Sequence, residues 1–163
     1  MTNCLTCQLI ARRDAGEAPL WDSFYRAAHW DVVHAYNTLL PGWLVLVARR
    51  HIEALDELNE AESLELGVLI RRASQGLKLA TGCRKTYVVQ FAEAAEHPRA
   101  HFHIIPRMAD LPPEYRGPKI FGYLGVSEAD SVSEEMMNEI AGKVQSFLEQ
   151  ERDGVLLETV LNL

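Results

Sequence analysis

The chain has 163 residues, 48% of them hydrophobic and 24% charged, and carries a net charge of −7. That profile describes one globular domain with its own core, leaves no room for two full domains, and disfavours a broad electrostatic grip on nucleic-acid backbone or an anionic membrane. No apolar run approaches the roughly 20 residues of a membrane span, and Met1-Thr2-Asn3-Cys4 lacks the basic and apolar regions of a signal peptide, so a cytoplasmic protein is expected. The cysteines are Cys4, Cys7 and Cys83. An odd count in a reducing compartment argues against a disulfide framework and for a metal or plain thiol role.

No repeat or low-complexity linker divides the sequence, which reads as a single domain over 1–163. After Cys4-x-x-Cys7, Gln8 to Asp14 predicts a short helix ending near Gly16. Phe24 to Ala28 and His29 to Tyr36 read as extended runs. Pro41-Gly42 marks a turn, and Trp43-Leu44-Val45-Leu46-Val47 is short, apolar and β-branched, which predicts a central strand. Asn59 followed by Glu62 has the form of a capping box. It opens a helix with Leu66, Leu69, Ile70, Ala73, Leu77 and Ala80 on one stripe and Gly82 at its end. Lys85 to Phe91 and Ala100 to Ile105 predict two more strands, the second stopped by Pro106. Asp110 to Gly125, rich in Pro and Gly, reads as a loop. Ser131-x-x-Glu134 signals another helix start, with Met137, Ile140, Val144, Phe147 and Leu148 on one face and Gly154 at the end, leaving the apolar tail Val155 to Leu163 unassigned. Strands interrupted by one long helix and followed by another predict an α+β domain with a mainly antiparallel sheet and helices on one face.

Three of the six histidines fall in His97-Pro98-Arg99-Ala100-His101-Phe102-His103-Ile104-Ile105-Pro106-Arg107. On a strand, His101 and His103 share one face while Phe102 and Ile104 point into the core. Arg99 extends the polar row, giving a surface suited to an anion, with phosphate the natural ligand. Imidazole, with an ordinary pKa of about 6.5, offers a neutral nucleophilic nitrogen near neutral pH and is a good leaving group from phosphorus. An isolated His-x-His is more often the polar side of a half-exposed sheet. Here the longer string distinguishes the two readings.

The string His101-Phe102-His103-Ile104-Ile105-Pro106-Arg107 resembles the signature of the histidine triad family of nucleotide hydrolases and transferases, in which alternating histidines end in two apolar residues and often Pro-Arg. Cys4-x-x-Cys7, Pro41 to Val47, and Arg49-Arg50-His51-Ile52 before an acidic helix follow that family's order through Arg107. The resemblance implies that His101 is the nucleophile that takes the nucleotidyl group and that His103 contacts the phosphate, with Arg99 and Gln90 as further substrate contacts. It also implies a homodimer. The chain departs from the pattern at three places. Arg99 stands at the first triad position, Ala35 stands where an acid holds the ribose, and Ala94-Ala95-Glu96 replaces the Gly-Gln-Ser stretch before the triad.

Cys4-x-x-Cys7 also has the spacing of a zinc knuckle. Branches of the family complete a Cys2His2 site with a histidine like His51 and the first triad histidine. Arg99 cannot ligate zinc, and His97 is the available substitute. Two readings stand: a structural zinc on Cys4, Cys7, His51 and His97, or a reduced pair of thiols. No redox cofactor is implied. Arg49 and Arg50 read as a solvated strand end, Trp21, Trp30 and Trp43 as core, and Cys83 as structural. The expected function is a nucleotide hydrolase or nucleotidyl transferase acting on the α-phosphate of a phosphoramidate or dinucleoside polyphosphate through a covalent nucleotidyl-histidine. The alternative is a nucleotide-binding or scaffold protein of the same fold without turnover.

Overall fold

A five-stranded antiparallel sheet organises the chain. The computed structural model describes the backbone of residues 4–161 and the side chains of residues 4–150. The strands are β1 (Tyr25–Arg26), β2 (Trp30–His34), β3 (Leu44–Ala48), β4 (Lys85–Val89) and β5 (His101–Arg107), in the order β1-β2-β3-β5-β4. The apolar run after Pro41-Gly42 thus forms the central strand, as its β-branched composition predicts. Among the described residues, three α-helices accompany the sheet: α1 (Leu5–Asp14), α2 (Glu60–Thr81) and α3 (Glu134–Leu161).

The alternation of side chains sorts the sheet into two faces. On one, Trp30, Val32, Leu44, Leu46, Phe102 and Ile104 are buried beneath Leu66, Leu69, Ala73 and Leu77 of α2 and Ile140, Val144 and Leu148 of α3. Burying side chains of this size contributes about 1.5–3 kcal/mol each, so this face carries most of the packing energy. The other face is covered by α1, whose Ile10 packs on Val33 and Val47, and by the segment after β5, whose Leu111 and Ile120 pack with Trp43 and Ile105. Helices therefore lie on both faces, not one. The short α1 offers only a narrow apolar stripe, and it is held there by Ile10 on Val33 and Val47 and by the buried Arg13, which pairs with Asp22 at 2.6 Å and Asp31 at 3.4 Å.

Helix α2 starts and stops where its side chains dictate. The Asn59 carboxamide oxygen accepts from the Glu62 N–H at 2.9 Å and the Glu62 carboxylate accepts from the Asn59 N–H at 2.9 Å, closing the capping box. Gly82 ends the helix with φ at +69°.

The structure corrects three boundaries. Pro106 does not stop β5, which continues to Arg107; pairing with β3 has already ended at Ile104, so the missing N–H falls where the strand is paired with β4 alone. Helix α3 is capped by Ser133, whose hydroxyl accepts from the Met136 N–H at 3.3 Å, while Ser131 donates to the Ser127 carbonyl. It also runs through Gly154 to Leu161, taking in most of the tail left unassigned, because a single glycine weakens a helix without ending it. Met1 to Asn3 and the last two residues of that tail, Asn162 and Leu163, lie outside the described residues. The segment after β5, read as a loop, is a series of 3-10 turns with a β-bridge between Thr38 and Leu124.

Candidate functional site

His101 pairs with Val47 and His103 with Val45 across the β3–β5 ladder, so both imidazoles leave the sheet on the α1 side while Phe102 and Ile104 enter the core. They open into a cleft of about 430 Å³ walled by β2, β3, α1 and the 91–97 and 121–125 segments. That volume suits a ligand of nucleotide size. The two rings meet edge to face, with centroids 4.9 Å apart.

Hydrogen bonds fix which nitrogen of each ring carries the proton. His101 Nδ1 lies 2.7 Å from the Arg99 carbonyl oxygen, which can only accept, so Nδ1 is protonated and Nε2 keeps its lone pair. His103 shows the reverse. Trp43 Nε1–H, a donor only, points at His103 Nδ1 at 2.9 Å, so the proton of that neutral ring sits on Nε2. One histidine thus offers a nucleophilic nitrogen and its neighbour an N–H donor. Burial pushes the His103 imidazole down to about 3, with the nearby His101 ring acting in the same direction. Burial also lowers His101, against the opposing pull of its bond to the Arg99 carbonyl. Both rings are neutral at pH 7.

Several residues that line the cleft or support its histidines were not legible as site residues in the sequence. Trp43 is fully buried, consistent with core, yet its indole N–H sets the His103 tautomer. Phe121 packs edge-on against His103 and Trp43, with centroids 5.2 Å and 5.3 Å away, and its partner Phe91 is mostly exposed. Asn37 and Ala92, the described non-glycine residues with positive φ (48° and 55°), both line the cleft. Such backbone conformations concentrate at ligand sites. Tyr36 Oη and Thr6 Oγ1 lie 2.9 Å and 2.8 Å from the two nitrogens of His97, which also lines the cleft.

Other residues singled out from the sequence lie elsewhere. The Arg99 side chain is buried, its Nη1 donating to the carbonyls of Ala48 and Arg49 at 3.1 Å each and its Nη2 to Cys7 Sγ at 3.4 Å. Neither Arg99 nor Gln90 lines the cleft. Arg50 grips the Glu62 carboxylate at 2.7 Å, and Arg49 lies near Asp31 and Asp14. Ala35 is buried at the end of β2 and presents no carboxylate.

Cys4, Cys7 and His51 come together with their donor atoms within 4.8 Å of one another, a group able to hold a metal. His97 stands apart from that group, held by Thr6 and Tyr36. The donor set does not close a four-ligand zinc site. Cys7 Sγ and His51 Nδ1 are 3.1 Å apart, a hydrogen-bond contact shorter than the roughly 3.6 Å between sulfur and nitrogen on one tetrahedral zinc. The Arg99 guanidinium lies beside the group, with Nη2 3.4 Å from Cys7 Sγ.

No protein-family model and no curated protein matches the chain. Solved structures do. A histidine triad protein from Marinobacter aquaeolei is 25% identical, with a TM-score of 0.64 over 78% of this chain and 88% of its own. A hypothetical histidine triad nucleotide-binding protein from Sulfolobus tokodaii is 18% identical, with a TM-score of 0.65 over 90% and 93%. A zinc-bound histidine triad family protein from Mycobacterium smegmatis is 13% identical, with a TM-score of 0.60 over 93% and 96%. The chain has the histidine triad fold.

Proposed function

From the histidine triad fold, we propose that the chain is a nucleotide hydrolase or nucleotidyl transferase acting at the α-phosphate of a nucleotide conjugate, a phosphoramidate or a dinucleoside polyphosphate. The observation that carries this reading is the opposite tautomers of His101 and His103 in one cleft. His101 Nε2 attacks the α-phosphorus, a nitrogen–phosphorus bond forms, and the bond to the leaving group breaks with its electron pair departing on that group, which takes up a proton. His103 Nε2–H donates to a phosphoryl oxygen as charge develops there. Water then attacks the phosphorus and gives up a proton to solvent, balancing the one the leaving group drew from it; the nitrogen–phosphorus bond breaks, its electrons return to Nε2, and the nucleoside monophosphate leaves. Phe91, Phe121 and Leu124 supply apolar wall for the rest of the ligand.

A second reading, nucleotide binding without turnover, is favoured by Ala35 and by Arg99, which brings no side chain to the cleft. Turnover of adenosine phosphoramidate and diadenosine polyphosphates by wild type and His101→Asn separates them. The enzyme reading expects nucleotide release by wild type and a loss of about three orders of magnitude or more in the variant. Binding with no release in either protein establishes the second reading.

A homodimer is the proposed assembly. Strand β4 has β5 as its one partner in the sheet, leaving an edge with Val88 exposed, where a second copy can pair. Light scattering should give twice the 18.4 kDa chain mass; a monomer overturns the assignment.

A further inference from the structure

We infer that the Arg99 guanidinium takes the place of a metal ion in the Cys4, Cys7 and His51 group, so that this site is closed by an internal cation and holds no zinc. Two thiols and an imidazole form a soft donor set that favours zinc, but a structural site closes only with a fourth donor. Among the described residues, the group contains three. The position facing Cys7 is held by Arg99, whose side chain is buried and rigidly placed: Nη1 is tied to the carbonyls of Ala48 and Arg49, and Nη2 points at Cys7 Sγ. A guanidinium is always charged and has no lone pair to give, so it cannot be the fourth donor, and beside Cys7 Sγ it repels a dication.

The second observation concerns charge. A buried cation needs a compensating partner. Among the described residues no carboxylate lies within ion-pair distance of Arg99, and its contacts are two carbonyl oxygens and the cysteine sulfur. Cys7 Sγ therefore serves the guanidinium as its one side-chain acceptor among the described residues. Mechanically, the guanidinium does what a structural metal does. It joins the first turn of α1, through Cys7, to the end of β3, through Ala48 and Arg49, and to the approach to β5, through its own backbone. Arg99 at the first triad position is then architecture, and its carbonyl still receives the His101 Nδ1 proton. The inference does not depend on the proposed reaction.

Metal content of untagged protein, purified with zinc in the medium, tests it. Wild type should contain well under one zinc per chain, and Arg99→His should contain about one, with chelator lowering the melting temperature of the variant only. Cobalt(II) titration provides a second readout, since cysteine–cobalt charge-transfer absorption should appear in Arg99→His and be absent in wild type. Should Arg99→His fail to fold by circular dichroism, Arg99→Ala replaces it and should bind cobalt(II) through the three remaining donors, with water in the fourth position that the guanidinium has vacated. One zinc per wild-type chain that is lost in Cys7→Ser overturns the inference. So does a folded variant that gains no metal.

Discussion

At the residue scale, one hydrogen-bond partner each makes the His101 and His103 imidazoles chemically different. Trp43 is the less obvious of these partners. Trp43→Phe keeps the aromatic packing but removes the N–H that holds His103 Nδ1 unprotonated, freeing the ring to present the wrong nitrogen to the phosphate. The expected result is a fall in kcat of about tenfold or more with KM changed less, and a stability loss of about 1–3 kcal/mol from the unpaired buried acceptor. Steady-state kinetics and urea unfolding measure the two separately. The lowered His101 also sets the pH profile. Protonating Nε2 removes the nucleophile, so the acid limb of kcat/KM should lie below pH 6.5, the ordinary histidine range. A limb at or above that value would show that the ring is not the buried, neutral group described here.

At the element scale, the β2–β3 connection is locked from both sides. His34 Nδ1–H donates to the Ala35 carbonyl at 2.7 Å, and its Nε2 accepts from the Gly42 N–H at 2.9 Å, tying the end of β2 to the turn before β3. Gly42 has φ at +86°, and a Cβ there would meet Leu77 Cδ1 and Thr81 Cγ2 at 2.9 Å. Gly42→Ala should therefore destabilise by about 2 kcal/mol or more, combining left-handed backbone strain with overpacking against α2, as read from chemical denaturation. Features governed by neighbours in sequence were legible: the capping box at Asn59, the stop at Gly82, and the alternation that puts His101 and His103 opposite Phe102 and Ile104. Those decided by distant contacts were not. Nothing near Trp43 announces a hydrogen bond to His103, 60 residues away, and nothing in 110–125 announces that Phe121 walls the cleft. The failure at Gly154 is of another kind, since a local signal was present and the helix continued through it.

At the scale of the whole molecule, the cleft and the fold share a dependence on neutral histidines. Burial pushes His34 down to about 4 and His103 to about 3. In the unfolded chain each binds a proton near pH 6.5, so their contribution to stability is complete above that pH and is lost as the pH falls toward the folded values. Unfolding free energy should decline across that window with a slope approaching about 1.4 kcal/mol per pH unit for each ring. Urea titrations at pH 7, 6, 5 and 4 measure it, and a flat profile would contradict the buried neutral state. Among the described residues, no helix is long and apolar enough to cross a membrane.

A covalent nucleotidyl-histidine at His101 would leave its mark on the stereochemistry at phosphorus. A nucleotide conjugate made chiral at the α-phosphorus with sulfur is hydrolysed in isotopically labelled water, and the configuration of the released nucleotide is determined. Two successive in-line displacements, the first by His101 and the second by water, predict net retention. Net inversion, the mark of a single direct attack by water, would contradict the account.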